Sequence, residues 1–201
     1  MESLVLWLTA AMIAWVPPSQ KDWGSEVQRY ATIAWAALDV AYDPAEAPLF
    51  EGPHGRSKTA LQILAISGFE SSFRQDVQLG TKRGKAGDAC DMQVIIPKAR
   101  HLRLTASTYE WVSTREPGLS AEDLVGPDPR LCFRVGLHLV RESFHICHDL
   151  SMYTSGKCDK NEVKAQHRLQ RAKRHYELHP APVLDNDVLK MPFEDSKTAS
   201  L

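Results

Sequence analysis

One acidic residue, Glu70, stands at the end of the most apolar segment of the chain and is the first candidate for chemistry. Seven apolar residues from Ala60 to Phe69 cover almost the whole circumference of a predicted helix, and such a helix is buried within its domain. Burial and the negative end of the helix dipole both disfavour a charged carboxylate, so we expect a raised pKa and a protonated Glu70 near neutral pH. A carboxylic acid in that state can act as the general acid that cleaves a glycosidic bond. The alternative is a Glu70 just past the helix, solvated or paired with Arg74.

Helices must position this residue, because helical hydrophobic periodicity dominates the sequence. Four longer helices are predicted, over residues 25–41, 57–69, 131–147 and 161–178. The second of them has Ser57 or Thr59 as its cap. A short helix is predicted over residues 119–124, with Ser120 as its cap and Asp123 at the third helical position. The fold class expected from these patterns is mainly α, in a single domain with little or no β structure.

The composition is that of an ordinary globular protein, with 201 residues of which 43% are hydrophobic and 24% are charged. A formal net charge of −1 argues against a nucleic-acid partner, since proteins that bind nucleic acid usually carry a strong basic excess. We divide the chain into an apolar N-terminal segment over residues 1–20, a folded domain over residues 21–179 and a polar tail over residues 180–201.

An apolar run at the N-terminus covers residues 4–16, is interrupted only by Thr9 and ends at Pro17 and Pro18. Its length is short for a membrane-spanning helix and fits the apolar core of a secretory signal. We therefore predict a signal or membrane anchor, in which residues 4–16 offer a membrane contact. The alternative is an apolar helix that packs on the domain or lies in an interface, because only Glu2 precedes the run where a signal has Lys or Arg.

An even number of cysteines behind an export signal favours disulfide bonds. The sequence alone leaves the pairing open. We favour a bridge between Cys147 and Cys158, which closes a short loop, and hence a second bridge between Cys90 and Cys132.

A metal site and buried, unbonded thiols are the competing interpretations of these cysteines. Cys147 and Cys158, together with His145 and His148, offer the sulfur and nitrogen ligands that zinc accepts. Their spacing lacks the paired Cys-x-x-Cys pattern of structural zinc sites, so we expect no metal and no cofactor.

Three segments of the chain, taken in order, resemble the signature of soluble lytic transglycosylases and goose-type lysozymes. In that family a buried helix ends in Glu-Ser-x-Phe, a Gly-Leu-Met-Gln segment follows, and a Tyr-Asn-x-Gly segment lies further along the chain. The corresponding segments here are Glu70-Ser-Ser-Phe-Arg74, Gly87-Asp-Ala-Cys-Asp-Met-Gln-Val94 and Tyr153-Thr-Ser-Gly156. The second departs from the pattern at Cys90-Asp91, and the third has Thr154 in place of Asn.

The resemblance, which runs from about Tyr30 to Tyr176, implies a lysozyme-like domain and a role for each matching residue. Glu70 corresponds to the catalytic acid/base, and Ser71 to the residue that contacts the acid or the substrate acetamido group. Substrate-binding positions Met92 and Gln93 correspond to the cleft wall, and Tyr153 to the tyrosine that forms a hydrogen bond near the catalytic Glu. Taken singly, each of these residues has an ordinary structural explanation, as a core or turn residue.

Asp88 and Asp91 offer a second carboxylate, which glycosidases that act by hydrolysis require as nucleophile or base. Lytic transglycosylases use the acetamido and C6 hydroxyl groups of the sugar instead, so that one carboxylate serves as acid and then as base. We expect Asp91 to be an exposed loop residue. Thr154 lacks the amide that can both donate and accept a hydrogen bond.

The resemblance implies a peptidoglycan lytic transglycosylase that cleaves the β-1,4 bond between N-acetylmuramic acid and N-acetylglucosamine. A lysozyme-type hydrolase is one alternative, and a non-catalytic glycan-binding or structural protein of an envelope or virion that keeps the fold is another. The expected partners are peptidoglycan glycan strands, without nucleic acid, and we expect a monomer unless the protein belongs to a larger envelope or virion assembly. The expected location is periplasmic or extracellular, with or without a membrane anchor, and virion association is the alternative.

Overall fold

Helices form almost all the regular structure in the computed structural model, which describes residues 1–17, 25–85, 87–96, 114–159 and 162–183. Within those ranges the β structure is a single bridge between Ala89 and Val94. The expected mainly α fold class is therefore confirmed. The helices in chain order are α1 (Glu2–Trp15), α2 (Ser25–Tyr42), α3 (Gly55–Glu70), α4 (Gln75–Gln78), α5 (Arg130–Cys147), α6 (Ser151–Ser155) and α7 (Val163–Leu178).

The central element is α3, which contacts α1, α2, α5 and α7. Every residue from Ala60 to Ile66 is buried, as expected for a helix that is apolar all round. The helix begins at Gly55, earlier than predicted. Only glycine fits at this position, because a Cβ there would lie 2.2 Å from the carbonyl oxygen of Phe50. Thr59 therefore lies inside the helix, where its hydroxyl donates a 2.8 Å hydrogen bond to the Gly55 carbonyl instead of capping the N-terminus.

Two short segments differ from their prediction. The proposed helix over residues 119–124 is a turn, although Asp123 accepts hydrogen bonds from the backbone N–H (2.8 Å) and the hydroxyl (2.7 Å) of Ser120, as in a cap. Tyr153 and Thr154 precede the last helix as expected, but they lie within a short helix, α6, that was not predicted. The last helix, α7, is described from Val163, and Asn161, its expected start, lies outside the described residues.

The N-terminal helix α1 packs on α2 and α3, and Leu4, Leu8, Ala11 and Met12 are completely buried. This packing matches the alternative in which the apolar segment is part of the domain, while its use in export stays a prediction. No helix in the described part of the chain is long and apolar enough to cross a membrane. The end of the predicted N-terminal segment, residues 18–20, and most of the predicted tail, residues 184–201, lie outside the described residues.

Both disulfide bonds form as predicted, between Cys90 and Cys132 and between Cys147 and Cys158. The zinc alternative is wrong, because the two cysteines that it required are bonded to each other. Each bridge attaches a segment outside the long helices to one end of α5. The disulfides therefore fix the two segments that carry the second and third sequence motifs.

Candidate functional site

The last residue of α3 is Glu70, and a tight turn follows it. Ser72 and Phe73 both adopt left-handed backbone conformations, with φ near +54°, which are strained for residues other than glycine. The Ser71 hydroxyl accepts a 3.0 Å hydrogen bond from the backbone N–H of Phe73, and Arg29 on α2 donates to the Phe73 carbonyl. The Phe73 ring is buried against Tyr30. These contacts fix the direction in which the chain leaves Glu70.

A cleft of about 460 Å³ opens beside Glu70. Its lining comes from four further parts of the chain: residues 88–95, α5, residues 152–156 and the first two turns of α7. Glu70, Met92, Gln93 and Tyr153 all line it, although they are far apart in sequence. The structure thus brings together four of the five site residues predicted from the motifs.

Glu70 forms an ion pair with Arg168 of α7. The Arg168 Nε and Nη2 atoms lie 3.1 and 2.5 Å from the same carboxylate oxygen, Oε1, and the Arg168 side chain is only 7% exposed. The expectation of an apolar, unpartnered carboxyl is therefore wrong, because a buried guanidinium 98 positions away supplies the opposite charge. The alternative of a pair with Arg74 is also not observed, since Arg74 pairs with Asp76. Two donors of one guanidinium thus form charge-assisted hydrogen bonds with Glu70.

Met92 lies in the wall of the cleft and is completely buried. It packs so closely on α5 that a Cβ at Gly136 would lie 2.3 Å from its Sδ atom. Gln93, with φ of +50°, donates from Nε2 to the Cys90 carbonyl at 2.9 Å. The second motif therefore forms a rigid wall, and the neighbouring disulfide reinforces it.

Tyr153 closes the cleft next to Glu70 and donates a 2.5 Å hydrogen bond from its hydroxyl to the Met92 carbonyl. Burial raises the pKa of Tyr153 well above its usual value, the charge of Glu70 adds to this effect, and Arg168 opposes it. The phenol is therefore a neutral hydrogen-bond donor. Thr154 also lines the cleft, and its hydroxyl donates to the Ser151 carbonyl at 3.2 Å.

Ser71 lies behind the cleft, in contrast to the other predicted site residues. It is buried, and its hydroxyl lies 2.9 Å from the Ser67 carbonyl and 3.1 Å from Asp91 Oδ1. The hydrogen bonds of its hydroxyl are internal to the fold, and its contact with the acid or the substrate stays a prediction. Ser71 thus supports the turn after Glu70.

Asp91 is completely buried, so the prediction of an exposed loop residue is wrong. Its Oδ2 atom has no hydrogen-bond partner among the described residues. Burial raises the pKa of Asp91 to about 6, against the opposing effects of the Ser71 hydroxyl and the Arg29 charge. Asp88, the other candidate, does line the cleft.

The sequence motifs did not identify the charged residues that complete the cleft. Lys164 and Arg168 line it from α7, and Glu142 lines it from α5. Their positions could have been inferred in part, because residues four apart, such as Lys164 and Arg168, share one face of a helix. From the sequence alone we expect the basic face of this helix to lie away from Glu70, and that expectation is wrong, because Lys164 and Arg168 line the same cleft.

Comparison of the chain with family models, with curated proteins and with solved structures gave no match. In the described residues, no group of three or more His, Cys, Asp or Glu side chains is arranged to hold a metal ion. The groups that line the cleft include one carboxylate at a helix end, its cationic partner, a neutral phenol and two further carboxylates.

Proposed function

We propose that the protein is a peptidoglycan lytic transglycosylase that cleaves the bond between N-acetylmuramic acid and N-acetylglucosamine. The observation that carries the proposal is the convergence of Glu70, the Met92–Gln93 wall and the Tyr153 segment on one cleft. These are the residues on which the resemblance to the family rests. Ser71 and Phe73 of the first motif support the turn that directs Glu70 into the cleft.

Glu70 is the acid/base in this mechanism. Its proton passes to the glycosidic oxygen as the bond to the anomeric carbon breaks, and the resulting carboxylate then accepts a proton from the C6 hydroxyl. That oxygen attacks the anomeric carbon and leaves a 1,6-anhydro end, so that one carboxylate serves both steps. Met92 and Tyr153 line the cleft beside Glu70, and the Tyr153 hydroxyl is held by its hydrogen bond to the Met92 carbonyl.

A hydrolase is the alternative enzyme, and Asp88 is its candidate second carboxylate because Asp88 lines the cleft. Asp91 is a poor candidate, since it is completely buried, accepts a hydrogen bond from Ser71 and does not line the cleft. Mass spectrometry of the products distinguishes the two reactions, because hydrolysis leaves reducing ends and the transglycosylase leaves anhydro ends. A loss in Asp88→Asn as large as that in Glu70→Gln would favour the hydrolase.

A non-catalytic glycan-binding or structural protein of an envelope or virion is the alternative outside enzymes. The Glu70–Arg168 ion pair supports this alternative, because it engages the carboxyl group that the enzymatic reaction needs. A turbidity assay on purified cell walls separates the two functions: an enzyme clears the suspension, while a binding protein sediments with walls that stay intact.

The two disulfide bonds are typical of proteins from an oxidising compartment. We propose a periplasmic or extracellular location, where peptidoglycan is accessible, and virion association is the alternative. Fractionation of cells that express the full chain, followed by thiol labelling, tests the location.

A further inference from the structure

The cations that line the cleft are concentrated on one element. Lys164 and Arg168 lie one turn apart on α7, and both line the cleft. The carboxylates of Asp88 and Glu142 line it from the segment after Gly87 and from α5. The charge of the cleft therefore changes sign from α7 to the other parts of its lining.

The guanidinium of Arg168 is held in place and still has donors to offer. Its Nε and Nη2 bind Glu70 Oε1, and its Nη1 donates to the Lys164 carbonyl at 2.8 Å. These three bonds use only some of its N–H groups, and Arg168 faces the cleft. Lys164 is exposed at the same wall and adds a second positive charge.

We propose that Lys164 and Arg168 form a binding site for a carboxylate on the sugar ligand, and that this carboxylate takes over Arg168 from Glu70. The inference rests on the proposed function and names which sugars the cleft prefers. A guanidinium binds any carboxylate with the same geometry, so the ligand group competes directly with Glu70. N-acetylmuramic acid carries such a group as its lactyl ether, and N-acetylglucosamine is the same sugar without it.

The exchange of partners also leads to the protonated Glu70 that the mechanism requires. When the ligand carboxylate binds Arg168, Glu70 loses its counter-ion in a cleft where Asp88 adds negative charge and Tyr153 is neutral. Glu70 then takes up one proton from solvent and becomes a general acid. A neutral glycan leaves the ion pair intact, so the cleft discriminates by charge as well as by shape.

The direct test measures binding of N-acetylmuramic acid, N-acetylglucosamine and lactate to the full chain by NMR titration. We expect N-acetylmuramic acid to bind about tenfold more tightly than N-acetylglucosamine. Lys164→Gln should remove most of this preference, and the exposed position of Lys164 keeps the fold intact. Arg174→Gln is the matched control, an exposed cation on the same helix outside the cleft lining.

Equal binding of the two sugars would overturn the carboxylate site while leaving the proposed function in place. Binding of lactate without either sugar would support the anion site and contradict the glycan function. No binding of any of the three compounds would contradict both.

Calorimetry in buffers of different ionisation enthalpy tests the exchange itself. Binding of N-acetylmuramic acid at pH 7 should be accompanied by uptake of a proton, which Glu70→Gln should abolish. A purely structural Arg168 would produce no uptake, and that result would overturn the exchange. Arg168→Lys keeps the charge without the fork, so it should retain binding with weaker discrimination.

Discussion

Replacing Asp91 by Asn should stabilise the protein at pH 8 and leave its stability at pH 4 nearly unchanged. Asp91 is completely buried and one of its oxygens has no partner among the described residues, so its negative charge is poorly compensated. Asn has nearly the same shape and still accepts the hydrogen bond from Ser71. The substitution therefore removes the charge and little else.

The magnitude follows from the pKa of Asp91, which burial raises from 3.8 to about 6. Below pH 3.8 the group is protonated in the folded and unfolded states, so its charge has no effect on stability. As the pH rises through 6, the folded protein must carry a buried charge that the unfolded chain exposes to water. The rise in pKa corresponds to about 3 kcal/mol of the free energy of unfolding. The original protein has lost this stability above pH 6, and the Asn substitution restores it.

Urea denaturation of both proteins at pH 4 and pH 8 measures this difference, and other titrating groups cancel because both proteins contain them. Asp39→Asn, at an exposed position on α2, is the control and should change the free energy of unfolding by less than about 1 kcal/mol at either pH. An Asp91→Asn variant that shifts stability equally at both pH values would refute the reasoning. Wall lysis by this variant should stay within about tenfold of the original, since Asp91 is not in the cleft.

Three further predictions concern stability and wall binding. Glu70→Gln should lower the free energy of unfolding by about 2 kcal/mol, because Arg168 loses its counter-ion. A carboxyl group without a partner would instead be strained, so a rise in stability would contradict the ion pair. Reduction of the two disulfides, which join residues 11 and 42 positions apart, should remove about 3 and about 4 kcal/mol, seen as a lower melting temperature, while chelators should have no effect. Lys157→Glu with Lys173→Glu should weaken cosedimentation with cell walls at low salt and not at high salt, and unchanged binding at low salt would mark these residues as a solvated surface.

Hydrophobic periodicity was sufficient to predict four long helices, α2, α3, α5 and α7, because the apolar residues of each helix form the surface that it buries. The short helices α4 and α6 were not predicted, since helices of four or five residues depend on tertiary contacts more than on their own pattern. The Ser120–Asp123 pair formed as a local cap, but Gly126 and Pro127 follow too closely for a helix to extend. Pairing of the cysteines followed from the short loop between Cys147 and Cys158.

The candidate site could be predicted where motif residues are local and could not where a contact joins distant elements. Glu70, Met92, Gln93 and Tyr153 were identified and do meet at one cleft. The role of Arg168 was missed, because no pattern around Glu70 specifies a partner on α7 that packs against it only in the folded chain. Asp91 was misjudged for the same reason, since its burial is decided by the turn after Glu70 and by the disulfide at Cys90.

The central claim is that Glu70 donates the proton in glycan cleavage. Its most direct test is turbidity clearance of purified cell walls by Glu70→Gln, at a temperature where circular dichroism shows the variant to be folded. Glu177→Gln, at an exposed position paired with Lys173, is the matched control and should lyse walls at the original rate. Glu70→Gln should clear walls at least ~100-fold more slowly, because it has no proton to transfer to the glycosidic oxygen. A variant that keeps most of the lytic activity, or an original protein that never clears walls, would contradict it.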